Sequence, residues 1–373
     1  MVYLDHNASS PLDPRVLEAM LPYLHTFYGN ASSLHRLGRA SRSALDQARS
    51  QVAALVGAEP AQIVFTAGGT EANNLAVKGL AGAATQGAAA VGATEHPSVA
   101  APMERLRQRG WTIHTLSVDA QGRLEPASLA ALPKAGLRFA SVMLANNETG
   151  ALQDISALAA ALRGQGAILH CDAVQQAGKL PLDFKTCGAH LLSLSAHKLY
   201  GPKGAGALVV DQSISLEPLL EGGGQERDRR SGTENIAALV GFGKAAELAL
   251  AELESRRAHT LALRQQLEAG LAALPGAYLF AEHAPRLPNT VQFGLSGLDG
   301  EALLMALDRK GFAVSSGSAC ASGGGEPSPV LLAMGYAPDT AKSAVRVSLG
   351  QDNSAADISA LLAALRAISG LPA

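Results

Sequence analysis

The stretch SLSAHKLYGPKG, residues 193–204, decides how the rest of the chain is interpreted, because it places Lys198 just after a predicted strand. The apolar run over 191–194 predicts that buried strand, and Gly201-Pro202 ends regular structure soon after it. A lysine at such a place is either a surface ammonium group or an amine in a partly dry pocket. Only the second kind loses its proton readily and forms a Schiff base with an aldehyde. For a lone lysine the surface interpretation is the commoner one.

Length and composition indicate two domains with a large apolar interior. The chain has 373 residues, of which 47% are hydrophobic, and one small core does not accommodate a chain of this length. The formal net charge of −2 gives no electrostatic basis for binding nucleic acid or an anionic membrane. No apolar stretch reaches the ~18 residues that a membrane span needs, and MVYLDHNASS lacks the pattern of a signal peptide. We therefore expect no membrane and no nucleic acid as a direct partner.

The three cysteines form neither a disulfide framework nor a zinc-binding pattern. Free thiols are typical of the reducing cytoplasm, so we expect a cytoplasmic protein without a resident metal. Cys171, inside an apolar run, fits a small buried side chain, and Cys187 fits the same description. Cys320 differs because Ser, Gly and Ala surround it without apolar periodicity. That pattern predicts a solvated loop whose thiol can ionise and attack.

Short apolar runs alternate with helical stretches from residue 62 onward. This alternation predicts βαβ units, a mostly parallel sheet and helices on both of its faces. Near residue 235 the pattern changes to a long helical run that reaches about Leu274, and shorter strands and helices follow it. The fold class is therefore α/β. We expect a large domain over 14–259 and a smaller α/β domain over 260–373, which residues 1–13 join.

Polar residues follow the predicted parallel strands, at the edge of the sheet where ligands bind. The segment FTAGGTEANN, residues 65–74, runs from a strand through glycines into a helix, and Thr70 adds a hydroxyl group. Free N–H groups at such a turn can hold a phosphate. Asp172 ends another strand; it is either a helix N-cap or the carboxylate partner of a protonated pyridine nitrogen. Gln175 is predicted to lie one turn into the next helix, within reach of the same ligand.

Other strand ends carry polar side chains of the same kind. His96 and Asn147 each follow a predicted strand, and Ser195 and His197 flank Lys198. A histidine in such a place is usually just hydrogen-bonded, but its ring can also stack on a cofactor. Each signal is modest. Their joint occurrence around one lysine is hard to explain as solvated surface, and it favours the pocket interpretation of Lys198.

These motifs, in their order, resemble the cysteine desulfurases of the NifS/IscS type, in the class V aminotransferase group. The resemblance implies a fold type I transferase dependent on pyridoxal 5'-phosphate (PLP), with a mostly parallel sheet in the large domain and a smaller C-terminal α/β domain. It covers nearly the whole chain. The motifs that carry it are YLDHNAS (3–9), GNASSLHRLG (29–38), FTAGGTEANNLAVKG (65–79), TEHPSV (94–99), NNETG (146–150), HCDAVQQAGK (170–179), SLSAHKLYGPKGAGAL (193–208), RSGTEN (230–235), SSGSACASGGGEPSPVL (315–331) and VRVSLG (345–350).

The resemblance also implies a role for each candidate side chain around the cofactor. Lys198 would bond covalently to PLP, and His96 would stack on the PLP ring and move protons. Asp172 would pair with the pyridine nitrogen, and Gln175 with the phenolic oxygen. Asn147 would also contact the cofactor. The phosphate would be held by Gly69, Thr70, Ser195, His197 and, from a second subunit, Thr233.

The same resemblance implies the reaction and the partners. Asn147 and Arg346 would bind the carboxylate of L-cysteine, since the planar arginine fork suits that task better than lysine. Cys320, in the SSGSAC signature of the group with a long loop, would take the sulfur as a persulfide and release L-alanine. The sulfur would serve iron–sulfur cluster assembly or tRNA thiolation through an acceptor protein such as an iron–sulfur scaffold. Thr233 implies a homodimer, and Cys320 can be a transient iron–sulfur ligand.

Some positions depart from the family pattern without removing a catalytic group. Gly325 stands where a bulky apolar residue is usual, and Gln351 stands where Arg is common. Ser9-Ser10 replaces a pair of threonines, and Gly69 replaces an alanine. The first two departures bear on which protein accepts the sulfur.

Alternative functions stay open at this point. One is another PLP activity of the same group, such as a selenocysteine lyase or an aminotransferase. Cys320 argues against the aminotransferase, because transamination needs no thiol. The second alternative is a non-catalytic partner protein that keeps the fold. Such a protein would lack the near-visible absorption of a lysine-bound PLP.

Overall fold

The computed structural model describes residues 1–316 and 326–370. Within these ranges the strands are β1 (Val2–Tyr3), β2 (Ile63–Thr66), β3 (Ala88–Gly92), β4 (Thr112–Leu116), β5 (Leu137–Met143), β6 (Ile168–Asp172), β7 (Leu191–Ser195), β8 (Gly206–Val210), β9 (Ala277–Leu279), β10 (Thr290–Leu295), β11 (Phe312–Ala313), β12 (Ser315–Ser316) and β13 (Val345–Ser348). The helices are α1 (Pro14–His25), α2 (Arg36–Leu55), α3 (Gly69–Ala83), α4 (Pro97–Gln108), α5 (Pro126–Ala130), α6 (Ser156–Arg163), α7 (Ile236–Ala251), α8 (Leu253–Ala272), α9 (Gly300–Arg309), α10 (Pro329–Ala333), α11 (Pro338–Lys342) and α12 (Ala355–Ile368).

The larger sheet has the order β2–β8–β7–β6–β5–β3–β4. Its strands from β7 to β4 pair in parallel, and β8 pairs antiparallel with both of its neighbours. β8 therefore runs against the other strands, and the predicted mostly parallel sheet is confirmed. The carboxyl ends of β2, β3, β5, β6 and β7 consequently meet at one edge of this sheet.

Both faces of the larger sheet are buried, which explains why its strands are apolar without alternation. On β8, Ala207 and Val209 belong to one core cluster, while Leu208 and Val210 belong to another. Because successive side chains of a strand point to opposite faces, the two clusters lie on opposite sides of the sheet. Helices α2 and α7 contribute to the first cluster, and α3 and α4 contribute to the second. The predicted helix layers on both faces are confirmed.

A smaller antiparallel sheet, β12–β13–β10–β9, lies near the end of the chain. Its core includes Phe293 and Val347, together with apolar residues of α8, α9 and α12. The first residues of the chain join this part, because β1 pairs in parallel with β11 and Asp5 bridges to Ser348. The division at 259/260 stays a prediction, and it falls inside α8.

One local prediction is refined and another is wrong. The long helical run predicted from Asn235 to about Leu274 consists of two helices that meet at Glu252, the C-cap of α7 and the N-cap of α8. The carboxylate of Glu252 accepts hydrogen bonds from Arg15 at 2.6 Å and from Arg256 at 2.6 Å, and these contacts fix it at the junction. Residues 174–179 are turns rather than a helix, so Gln175 lies in a turn that follows β6.

Within residues 1–316 and 326–370, no helix combines the length and the apolar character that crossing a membrane requires.

Candidate active site

A cavity of about 950 Å³ opens at the carboxyl ends of the parallel strands. Its wall combines the segment after β1, the turns after β2, β3, β5, β6 and β7, and one residue of β13. The structure therefore brings residues from distant parts of the sequence to the edge where sheets of this kind bind ligands. The predicted site residues that line the cavity are Gly69, Thr70, His96, Asn147, Asp172, Gln175, Ser195, His197, Lys198 and Arg346.

Lys198 ends a single 3₁₀ turn, Ala196–Lys198, directly after β7. The backbone then turns sharply at Tyr200, whose φ of 63° is left-handed, and the Tyr200 N–H donates to Ser10 Oγ at 2.7 Å. The Lys198 amine donates to the main-chain oxygens of Asn7 at 2.5 Å and Ala8 at 2.7 Å. The lysine is thus held in the cavity wall by the N-terminal segment rather than extended into solvent.

Asp172 is the last residue of β6, on the strand next to β7, and it is buried. Its Oδ1 accepts from the Val174 N–H at 2.9 Å, a capping bond like that of the predicted helix N-cap, except that a turn follows here instead of a helix. Its Oδ2 accepts from Asn73 Nδ2 at 2.7 Å. Asp172 therefore caps a turn and also forms part of the cavity wall, so the two interpretations do not exclude each other.

His96 is the N-cap of α4 and its ring is fixed by that helix. The Ser98 N–H donates to His96 Nδ1 at 3.1 Å, so this ring nitrogen must be an acceptor. Ser98 Oγ lies 2.7 Å from the same nitrogen, and it can only donate there. Burial lowers the pKa of His96; Asp172 opposes this effect and Lys198 adds to it. The ring is consequently neutral at pH 7, with its proton on Nε2.

Asn73 connects Asp172 with His96, and sequence reasoning missed it. Its Nδ2 donates to Asp172 Oδ2 at 2.7 Å and to Ser98 Oγ at 2.8 Å, and Ser98 in turn donates to His96. The direction of each bond is fixed because a carboxylate only accepts. One signal was available: Asn73 lies three residues after Thr70, on the same face of α3.

The part of the cavity wall around Gly69 and Ser195 fits a phosphate. Gly68 precedes α3 without a side-chain cap, so the first N–H groups of that helix face the cavity wall near Gly69. A Cβ at Gly69 would lie 2.8 Å from Val174 Cγ2, so the Val174 side chain would have to shift if an alanine stood at this position. Ser195 Oγ is buried and has no hydrogen-bond partner in the described part of the chain. An orphaned hydroxyl beside a helix N-terminus is a donor placed for an anion, and these residues fit the phosphate of PLP.

His197 and Lys203 also line the cavity. Burial, together with the positive charges of Lys198 and Lys203, lowers the pKa of His197 to about 4. His197 is therefore a neutral imidazole, which can offer one N–H to an anion.

Arg346 brings β13 of the smaller sheet to the cavity. Its guanidinium donates to Asp5 Oδ1 at 2.7 Å and to the main-chain oxygen of Asn147 at 2.9 Å. Nε is buried without a hydrogen-bond partner among the described residues. Arginine has five N–H groups, so these two contacts orient the fork and leave donors for a carboxylate. Asp5 is a second residue that sequence reasoning missed.

One predicted site residue that the structure describes, Thr233, is not in this cavity. Thr233 is exposed and does not belong to the cavity wall of its own chain. Cys320 lies outside the described residues. Of the other cysteines, Cys171 is fully buried, and burial raises its pKa well above the usual value. Burial also raises the pKa of Cys187. Neither thiol is placed to act as a nucleophile in the cavity.

A mostly parallel sheet with a lysine and a carboxylate at the ends of adjacent strands defines a PLP-dependent enzyme of fold type I. The model of the family "Aminotransferase class-V" matches residues 2–361, and the chain belongs to this family. It is 46% identical over 356 residues to "Cysteine desulfurase IscS" of Anaeromyxobacter sp. (strain Fw109-5), covering 94% of this chain and 88% of that one.

Solved structures agree with that assignment. A "NIFS-LIKE PROTEIN" superposes with a TM-score of 0.92 at 32% identity, covering 99% of both chains. A structure titled "SspA in complex with cysteine" gives a TM-score of 0.83 at 30% identity, covering 94% of this chain and 99% of that one. The predicted fold class and family are confirmed, and the family depends on PLP.

Proposed function

We propose that this protein is a PLP-dependent cysteine desulfurase that converts L-cysteine to L-alanine and keeps the sulfur on Cys320 as a persulfide. The reaction balances without an outside oxidant: cysteine and the enzyme thiol give alanine and the enzyme persulfide. The Cβ–S bond of the substrate breaks and an S–S bond forms. The observation that carries the proposal is the convergence of Lys198, Asp172 and Arg346 on one cavity, in a chain of this family.

Bound PLP supplies an aldehyde that attaches an amino acid and a ring that withdraws electrons from its Cα. The Lys198 amine would hold the aldehyde, and Asp172 would face the ring nitrogen, where a carboxylate stabilises a positive charge. Gln175 would donate to the phenolic oxygen. The phosphate would be held by Gly69, Thr70, Ser195 and His197, and in a homodimer by Thr233 of the second subunit.

Arg346 and Asn147 would bind and orient the substrate carboxylate. Asp5 holds the guanidinium from one side at 2.7 Å, which prevents the fork from turning away from the cavity. A fork that is already oriented loses less conformational freedom when it binds a carboxylate.

Lys198 and His96 are the groups that can move protons in this cavity. The Lys198 amine, when no longer bonded to the cofactor, can take the proton from the substrate Cα. His96 can exchange a proton only at Nε2, because Nδ1 accepts from the Ser98 N–H. Cys320 would then attack the substrate sulfur as a thiolate, the nucleophilic form of a thiol.

The purified protein, given L-cysteine and a reductant such as dithiothreitol, is expected to form alanine and sulfide in equal amounts. Reductant should release each persulfide as sulfide and restore Cys320 for another turnover. Amino-acid analysis and a sulfide assay measure the two products. A transaminase would instead form a keto acid from cysteine and no alanine. Selenocysteine as the only productive substrate would favour the lyase.

We propose the class of protein that accepts the sulfur, and we propose the cytoplasm as the compartment. An iron–sulfur scaffold or a tRNA-thiolation protein in the cytoplasm suits a persulfide donor, because persulfides are transferred between thiols that are kept reduced.

The chain is also proposed to act as a homodimer, in which each Thr233 completes the partner's phosphate site. Leu17, Leu21 and Leu24 of α1 are 43%, 42% and 61% exposed, which leaves one face of that helix apolar and uncovered. Glu234, next to Thr233, is 7% exposed; Arg42 Nη2 lies 3.8 Å from its Oε1, but neither carboxylate oxygen has a hydrogen-bond partner within the described ranges. A second copy would cover the leucines and bring donors to this buried carboxylate.

Light scattering should therefore give about twice the 38.1 kDa of one chain. Replacing Leu21 and Leu24 together by Glu is expected to produce monomers that lose PLP on gel filtration, because charges would replace the buried apolar contact. Leu250→Glu, at a residue of α7 that is 44% exposed, is the control and should stay dimeric. A parent protein that is monomeric and fully active would contradict the proposal.

A further inference from the structure

A second lysine, Lys179, lies beside the cavity and takes no part in the roles given above. Its amine donates to Gln175 Oε1 at 2.8 Å and to Asn7 Oδ1 at 3.0 Å. Gln175 follows Asp172 in the turn after β6, and its side chain forms part of the cavity wall. Lys179 therefore contacts a residue of the cavity from behind.

Lys179 decides which end of the Gln175 amide faces which neighbour. Lysine can only donate, and the main-chain oxygen of Asn7 can only accept. Gln175 Nε2 donates to that Asn7 oxygen at 3.0 Å, while Oε1 accepts from Lys179. A flipped amide would place two donors against each other and two acceptors against each other. The amide thus keeps one orientation, and its second N–H is free for the cavity.

Asn7 links this arrangement to Lys198. Its main-chain oxygen accepts from both Gln175 Nε2 and the Lys198 amine, the latter at 2.5 Å. Its side chain is held by Lys179, by Asn289 Nδ2 at 3.1 Å and by Thr290 Oγ1 at 2.9 Å. Asn7 is almost fully buried. Removal of Lys179 would loosen the residue on which both Gln175 and Lys198 depend.

Two side-chain oxygens, Gln175 Oε1 and Asn7 Oδ1, accept hydrogen bonds from the Lys179 amine. Burial lowers the pKa of Lys179 well below its usual value, and the positive charges of Lys198 and Arg346 contribute to that shift. The geometry of these two contacts makes the amine a hydrogen-bond donor to both neighbours.

We propose that Lys179 is a positioning residue that fixes the Gln175 amide so that the cavity receives a hydrogen-bond donor. The ligand group that this donor suits is the phenolate oxygen of PLP, and in naming that ligand the inference rests on the proposed function. Lys179 touches neither the substrate nor the cofactor. It acts through Gln175.

The test measures the pH titration of the near-visible absorption band of the purified holoenzyme. A hydrogen-bond donor to the phenolate lowers the basicity of that oxygen. It also lowers the basicity of the Lys198 nitrogen, which shares a proton with the phenolate when it is bonded to PLP. Lys179→Met lacks the donor that orients Gln175, so the midpoint of the titration should rise by about one pH unit, a tenfold change in the equilibrium. Retention of PLP on gel filtration should fall as well. Lys185→Met, at an exposed lysine paired with Glu59, should leave both measurements unchanged.

A double-mutant cycle separates positioning from general destabilisation. In a Gln175→Leu background, Lys179→Met should cause no further shift of the midpoint, because the residue through which it acts is gone. An equal shift with and without Gln175 would overturn the proposal, and so would a Lys179→Met protein that titrates like the parent.

Gln175→Glu covers the case in which Lys179→Met does not fold. A glutamate still accepts from Lys179 but gives the cavity no donor, so the midpoint should rise in this variant too. An unchanged midpoint would overturn the proposal. If the parent protein shows no near-visible band at all, the proposed function fails instead, and the two failures are distinguishable.

Discussion

Lys198→Ala is expected to abolish both the covalent attachment of PLP and the formation of alanine from cysteine. The Lys198 amine is held in the cavity wall by the main-chain oxygens of Asn7 and Ala8. Lys179 does not line the cavity, and its amine donates to Gln175 and Asn7 instead. Borohydride reduction followed by mass spectrometry of the digested protein measures the attachment. The parent should carry reduced PLP on the peptide with Lys198, and the variant should carry none.

Lys203→Ala is the matched control, because Lys203 lines the same cavity. This variant should keep the PLP adduct on Lys198 and should lose at most affinity for the phosphate. An adduct on Lys203 or Lys179 in the Lys198→Ala protein would contradict the prediction, because that lysine would then be able to bond to PLP.

Cys320→Ser is expected to separate cofactor chemistry from sulfur transfer. The side chains that would hold PLP come from other parts of the chain, so the near-visible absorption and its change on adding cysteine should persist. Alanine formation should fall at least about 10³-fold, a loss typical of removing an essential nucleophile. A serine hydroxyl has a far higher pKa than a thiol and attacks sulfur poorly near neutral pH.

The location of the persulfide gives an independent check on Cys320. After a short reaction of the parent protein with cysteine, alkylation and digestion should place the extra sulfur on the peptide that contains Cys320. Cys171→Ser and Cys187→Ser should leave alanine formation unchanged, because Cys171 is buried within β6 and the pKa of each thiol is raised by burial. Sulfur on either of these residues, or full activity of Cys320→Ser, would overturn the assignment.

The sequence could predict those parts of the site that depend on the ends of parallel strands. Lys198, Asp172 and His96 each follow an apolar run, and a parallel sheet must bring such ends together. The local pattern therefore contained enough information for the fold class and for these residues. The role of each residue at the site stays a proposal.

Residues that act through distant partners could not be predicted in this way. Asn7 contacts Thr290 across 283 residues of sequence, and Asn73 contacts Asp172 across 99. Local propensity also does not predict the contact between Glu252, at the junction of two helices, and Arg15, 237 residues away. Gln175 is predicted in a helix, whereas the structure has turns over 174–179, within which Gly178 takes a left-handed φ of 71°.

The pairing of Asp5 with Arg346 has a consequence for synthesis on the ribosome. The two residues are separated by 341 positions, and Ser348, which bridges to Asp5, lies later still. At roughly 5–20 residues per second, the nascent N-terminal segment waits roughly 20 to 70 s for these partners. Until then the main-chain oxygens that hold Lys198 have no fixed position. We therefore expect cofactor loading to follow translation of almost the entire chain.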